Sequence, residues 1–211
     1  MSMSFIIRVF SAAAFISMAA AAQDAPAPKS PPPPSSNLVD GITSMVDLLS
    51  SLAKFDSNGR DPAQKLGFAM PERAINEYLA YILHKTPRPG IANVSVTFLP
   101  RNEVTAVVEM DFDAVRQWNG KIVPESLRPV LNGRQTVRLN VQFDIRNASL
   151  TFVLKEAMGP NGKTIPKKVM EDVLGALGSH QPESFDINQP IPLPFGLKRL
   201  WTEKQLVGGE T

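Results

Sequence analysis

The longest regular pattern in the chain covers residues 136–145, where apolar and polar side chains alternate without a break. Val137, Leu139, Val141, Phe143 and Ile145 fall on one side, and Thr136, Arg138, Asn140, Gln142 and Asp144 on the other. A period of two predicts a strand with one dry and one wet face. Leu150, Phe152 and Leu154 carry the dry face into a returning strand after Asn147-Ala148, because asparagine accepts the positive φ of a two-residue turn. A second hairpin precedes this one. Residues 92–99 turn at 100–102 into 103–113, where Val104, Ala106, Val108, Met110 and Phe112 share a face. Glu109, Asp111 and Asp113 take the opposite face. A solvated surface accounts for them better than calcium does, since a strand lacks the loop carbonyls that wrap that ion.

Helical spacing flanks the hairpins. Leu38, Ile42, Met45, Leu49 and Leu52 predict a helix over 38–55, with Asn37 as its N-cap and a cluster of turn formers at 56–62 ending it. Residues 71–85 predict a second helix, with Pro71 at its first position and Glu72 at the positive end of the dipole. Its stripe is Ile75, Tyr78, Leu79, Ile82 and Leu83; Asn76 lies just off the stripe and His84 suits the C-terminal end. Residues 114–133 read as a loop with a short helical turn near 124–131, anchored by Trp118, whose amphipathic ring would also suit the mouth of a ligand site. Beyond the Gly-Pro-Asn-Gly at 159–162, Pro166 opens a third helix bearing Val169, Met170, Val173, Leu174 and Leu177, with Gly178 as its stop. Pro190, Pro192 and Pro194 cannot donate to a ladder. They place 186–201 on a sheet edge or in an extended crossing, tied down by Leu197, Leu200 and Trp201.

Composition narrows the class. Residues 1–22 read as a signal peptide, with Arg8, an apolar run over 9–22 and small residues before Gln23. That run is shorter than the roughly 20 residues needed to span hydrocarbon. Residues 23–36 form a proline-rich linker of extended polyproline character. Residues 37–211 remain as a single domain, long enough to bury a core. An exported protein is expected, periplasmic or secreted. The formal net charge of +2 argues against a nucleic-acid partner. The absence of cysteine excludes disulfides, thiolate metal sites and a cysteine nucleophile. No nucleophile elbow, zinc-binding histidine pair, phosphate loop or dinucleotide fingerprint occurs. His84 and His180 have no orienting neighbour in sequence and read as surface histidines. A non-enzymatic protein with no cofactor and no metal is expected; Asp111 and Asp113 are the carboxylates on which a hydrolase would have to be built.

The order of the elements carries further information. A helix reading Pro71-Glu-Arg-Ala-Ile-Asn-Glu-Tyr-Leu is followed by two alternating hairpins, by Ile165-Pro166 opening a helix, and by Leu193-Pro-Phe-Gly-Leu197. Over roughly 68–201 this order resembles small secreted bacterial proteins related to the tubular lipid-binding (TULIP) superfamily. The resemblance implies an α+β fold, with a strongly curved antiparallel sheet of about four to six strands wrapped on amphipathic helices around an apolar groove for acyl chains. Only Leu206-Val207 continues the pattern beyond Leu193–Leu197, so the closing strand is expected to be short. Groove residues would come from the second helix (Ile75, Tyr78, Leu79, Ile82) and from the dry faces of the strands (Val108, Met110, Phe112, Leu139, Val141, Phe143, Phe152, Leu154). Met70, Met110, Met158 and Met170 would add adaptable contacts. The same residues would fill a solid core equally well, because buried apolar strands look alike in both cases. Two functions are open. One is a carrier of lipid or another acyl-chain ligand, which buries acyl surface with little head-group selectivity and touches membranes transiently. The other is an envelope scaffold that takes a protein partner through a sheet edge and the proline-rich arm.

Overall fold

A computed structural model describes residues 36–61 and 63–211; the expected signal peptide and all but the last residue of the linker lie outside the described residues. Helix α1 (Ser36–Ser57), strand β1 (Gly67–Pro71) and helix α2 (Glu72–Lys85) lead into the predicted hairpins. These are β2 (Ile91–Leu99) with β3 (Glu103–Asp111), and β4 (Arg134–Arg146) with β5 (Ser149–Met158). Helix α3 (Phe112–Trp118) stands between them. Helix α4 (Lys167–Ser179) and strands β6 (Ile191–Pro192), β7 (Arg199–Glu203) and β8 (Leu206–Glu210) follow.

Strands β2-β3-β4-β5-β6 form a curled, half-barrel antiparallel sheet, and β1-β8-β7 form a second, smaller one. The fold is therefore α+β with a curved antiparallel sheet, as expected. Asn147 and Ala148 both adopt positive φ, 52° and 53°, as a tight hairpin turn demands. Two irregularities bend the sheet. In β5, Val141 pairs with Leu154 but Asn140 pairs with Glu156, leaving Lys155 as an extra residue. Inward parity consequently switches from Leu150 and Leu154 to Ala157, all three of which are buried. In β2, Ile91 faces Met110 while Asn93 faces Glu109, so Ala92 is the extra residue there. Bulges of this kind sharpen twist and turn a flat ladder into a curved one.

The inner face of the sheet carries two cores. Around one, α1 and α2 pack with Val96, Phe98, Phe143 and Leu150 and with Ile191, Leu193, Phe195 and Leu197 of the C-terminal segment. Around the other, Phe112 and Val115 of α3 and Met170, Val173 and Leu177 of α4 pack on Val108, Met110, Val137, Leu139 and Leu154. Helices α1 and α2 approach closely at Gly41, where a Cβ would meet the Ala74 backbone and the Glu77 carboxylate.

Several local expectations give way. Asn37 lies within α1 rather than capping it, and Pro71 is the N-cap of α2 and the last residue of β1 rather than the first helical residue. Strand β3 ends at Asp111, whose carboxylate accepts the amides of Asp113 (3.0 Å) and Ala114 (3.1 Å) and so starts α3. That cap turns Phe112 off the strand and into the second core. Asp113 accepts the Gly133 amide at 3.0 Å and pairs with Arg116. The supposed row of three strand carboxylates is thus one strand residue, one cap and one helix residue. Gly178 does not stop α4, which runs on to Ser179; its missing side chain instead admits the Phe185 backbone and ring. The proline-punctuated segment does reach a sheet edge, since β6 pairs with Ser149 and Leu150 of β5. The closing strand β8 is five residues long and joins β1 and β7 rather than the large sheet.

Candidate functional site: an apolar cavity between the two cores

The two cores do not meet completely. Between them lies a cavity of about 180 Å³. The sheet supplies Val94, Val96, Phe98, Val104, Ala106, Val108, Met110, Leu139, Val141, Phe143, Leu150 and Phe152; α2 supplies Ile75 and Leu79. Met45, Leu48, Leu49 and Leu52 of α1 and Leu174 and Leu177 of α4 close the sides, with Phe195, Leu197, Leu200 and Val207 from the C-terminal segment. Val94, Ala106, Val141 and Phe152 stay partly exposed while their inward-facing neighbours Val96, Val108, Leu139, Phe143 and Leu154 are buried. A filled core would have covered them.

The predicted groove set divides. Ile75, Leu79, Val108, Met110, Leu139, Val141, Phe143 and Phe152 line the cavity. Tyr78, Ile82, Phe112 and Leu154 are buried but pack outside its wall. Of the four methionines expected to adapt, Met70 and Met110 are wall residues and Met158 and Met170 are not. The walls given by α1 and by Phe185, Ile187, Phe195 and Leu200 escaped sequence reasoning. For α1 the stripe was visible, but nothing in it told a cavity wall from a solid contact; for the rest only the prolines between them gave a local signal.

One wall side chain is polar among the described residues. Gln181, just past α4, is 7% exposed. Its Nε2 donates to the carbonyls of Leu177 (2.9 Å) and Pro89 (3.2 Å), fixing the amide where the end of α4 meets the approach to β2. Gly90 makes that approach possible, with φ +73° and its α-carbon against Leu177 and Trp118. Trp118 does not front the cavity. Its indole stacks on His180, with ring centroids 4.2 Å apart and planes 7° apart. His180 is nonetheless exposed at the end of α4, a surface histidine as expected, its Nδ1 2.9 Å from the Ala176 carbonyl.

Ionisable groups are sparse here. Burial, with a smaller push from Tyr81, raises the Tyr78 phenol to about 12, and its hydroxyl is buried without a hydrogen-bond partner. Burial also lowers Arg88, and Glu183 acts against that shift. Neither Arg88 nor Glu183 lines the cavity. Asp111 is engaged as the cap of α3 and Asp113 by the Gly133 amide and Arg116, and no group of three or more metal-ligating side chains gathers among the described residues. No helix among the described residues is long and apolar enough to cross a membrane. The chain matches no protein-family model, and neither a curated protein nor a solved structure shows significant similarity to it.

Proposed function

We propose that this is an exported, non-enzymatic binding protein that shelters an acyl chain, or an apolar group of similar girth, between the sheet and its helices. One observation carries the reading. The interior holds an unfilled space walled by aliphatic, aromatic and methionine side chains, with a single amide among the described ones. Apolar cavities stay dry, and an empty one of about 150 Å³ is enough to take up benzene. At 180 Å³ this one matches about six or seven chain carbons. Removing that many methylenes from water yields about 5 kcal/mol, or a dissociation constant on the order of 10⁻⁴ M. A longer lipid gains more only where its further carbons also leave water. The signal-like segment at 1–22 supports export.

The scaffold reading draws less support. Along the outer edge of β2 the backbone groups of Val96, Phe98 and Leu99 are already bonded within the chain, which leaves little ladder for an added strand.

Calorimetric titration of the purified full-length export product with 1-octanol is the direct test. Saturable one-to-one binding with a negative heat-capacity change is expected. Organic extraction of freshly purified protein should also release an acyl compound detectable by mass spectrometry. A protein that neither takes up octanol nor carries any such compound would end the proposal.

A further inference from the structure

Resting on the acyl-binding reading, we infer that the cavity selects amphiphiles whose polar end is a neutral hydrogen-bond donor, an alcohol above all, and discriminates against carboxylates. The selecting group is Gln181. Both partners of its amide nitrogen, Leu177 and Pro89, are backbone carbonyls, so the side chain is held with Nε2 toward them and cannot turn over. An amide has two N–H donors and both are engaged. What remains is the acceptor, Oε1, which receives no hydrogen bond from any described residue and is not among the fully enclosed unsatisfied atoms. It is therefore not sealed off, and Gln181 belongs to the wall of the cavity.

The surroundings set the sign of the preference. On the same wall Ile91, Leu174, Phe185 and Ile187 are partly exposed, while Gln181 itself is only 7% exposed. A single-chain guest would place its tail among the leucines and valines and its head against Oε1. A hydroxyl donates there and relieves an unpaired acceptor. A carboxylate brings only acceptors and a negative charge, and among the described residues no Lys, Arg or His is present on the wall to meet it. Arg88 and Glu183, the charged residues flanking this corner, act on each other. Placing an unpaired carboxylate in such a site is heavily penalised. Selectivity, which an aliphatic stripe alone does not provide, thus enters through one amide.

Three ligands of matched size separate the terms: 1-octanol, its isomer 1-methoxyheptane, which lacks the donor, and octanoate at pH 8. Calorimetry on the unaltered protein should place octanol about five-fold tighter than the ether, the effect of one neutral hydrogen bond, and at least ten-fold tighter than octanoate. In Gln181→Met the octanol-to-ether ratio should fall to about one while the affinity for the ether is retained. Equal binding of all three by the unaltered protein would overturn the role of Gln181 and leave acyl binding standing. Failure of all three to bind would remove the acyl-binding reading and this inference together. Because the alcohol-to-ether ratio is read on the native sequence, the inference stays testable even if Gln181→Met fails to fold.

Discussion

Asn76 holds Val96 by both of its backbone groups: Nδ2 donates to the Val96 carbonyl at 2.8 Å, and Oδ1 accepts the Val96 amide at 2.7 Å. One turn earlier on α2, Glu72 accepts the Phe98 amide at 2.7 Å. The match is geometric. Four residues of helix rise about 6 Å and two residues of strand about 6.7 Å, so side chains at i and i+4 meet the outward backbone groups of residues two apart. Past that point Thr202 donates its hydroxyl to the Leu99 carbonyl (2.5 Å) and the Gln205 amide reaches Phe98 (3.1 Å). An exposed strand edge is an aggregation hazard, and here a helix and a hairpin cover it.

Asn76→Ala should therefore cost more than a surface asparagine would. It strands an amide and a carbonyl together, each worth about 1–2 kcal/mol once unpaired, so a loss of roughly 2–4 kcal/mol is expected in urea unfolding. Hydrogen exchange at the Val96 amide should accelerate in step. An effect below about 0.5 kcal/mol would show that water replaces the side chain without penalty.

Tyr78 makes the opposite case. Its hydroxyl is buried and unpaired, so Tyr78→Phe should leave stability at pH 7 unchanged or raise it by about 1 kcal/mol. The pH dependence follows from the raised phenol. Below pH 10 the group is neutral in both folded and unfolded chains and contributes no slope. Between pH 10 and about 12 the unfolded chain loses the proton while the native state keeps it, so stability falls as pH rises. The loss is on the order of 2–3 kcal/mol across that window. Comparing native protein and Tyr78→Phe over pH 9–12 isolates it from the lysines. Parallel curves would mean that the hydroxyl reaches solvent.

The strict alternation at 136–145 and the stripe of α2 were legible because period and burial coincide there: Val137, Leu139 and Phe143 are buried, as are Ile75, Tyr78, Leu79, Ile82 and Leu83. Strand β8 was only half visible, for a physical reason. Gly208 and Gly209 have low intrinsic strand preference, yet a Cβ on either would strike the Trp201 or Phe68 ring, so neighbouring aromatics lie over the bare backbone and complete the strand. Phe112 misled because its strand parity was correct and a local cap, Asp111, overrode it. The cavity itself could not be read. Whether inward side chains touch across the sheet depends on how far α1 and α4 stand apart, and no local pattern encodes that distance. Nor did the sequence single out Gln181, whose role arises from the two carbonyls that orient it.

Filling the space should separate binding from folding. Ala106, on β3 between the buried Val108 and the partly exposed Val104, lines the cavity with the smallest side chain on that face. Ala106→Leu adds three carbons to a void rather than to a packed core, so stability should change by less than about 1 kcal/mol. Octanol affinity should drop at least ten-fold by calorimetry. Val153→Leu, on the solvent face of β5, should alter neither quantity. Undiminished octanol binding in Ala106→Leu would place the ligand somewhere other than this cavity.

Chain length offers a final, quantitative check on the volume. Each methylene that enters an apolar space gains about 0.8 kcal/mol, close to a four-fold change in affinity. For straight-chain alcohols titrated in turn, the dissociation constant should fall four-fold per carbon from butanol to about heptanol, where a space of 180 Å³ is full. Beyond that length the extra carbons find no enclosed space left, and the gain per carbon should fall to less than half. The break point measures how much room the folded chain leaves between its helices. A slope that continues undiminished to dodecanol would mean that α1 or α4 yields to the guest, and a flat series from butanol onward would mean that no methylene is buried at all.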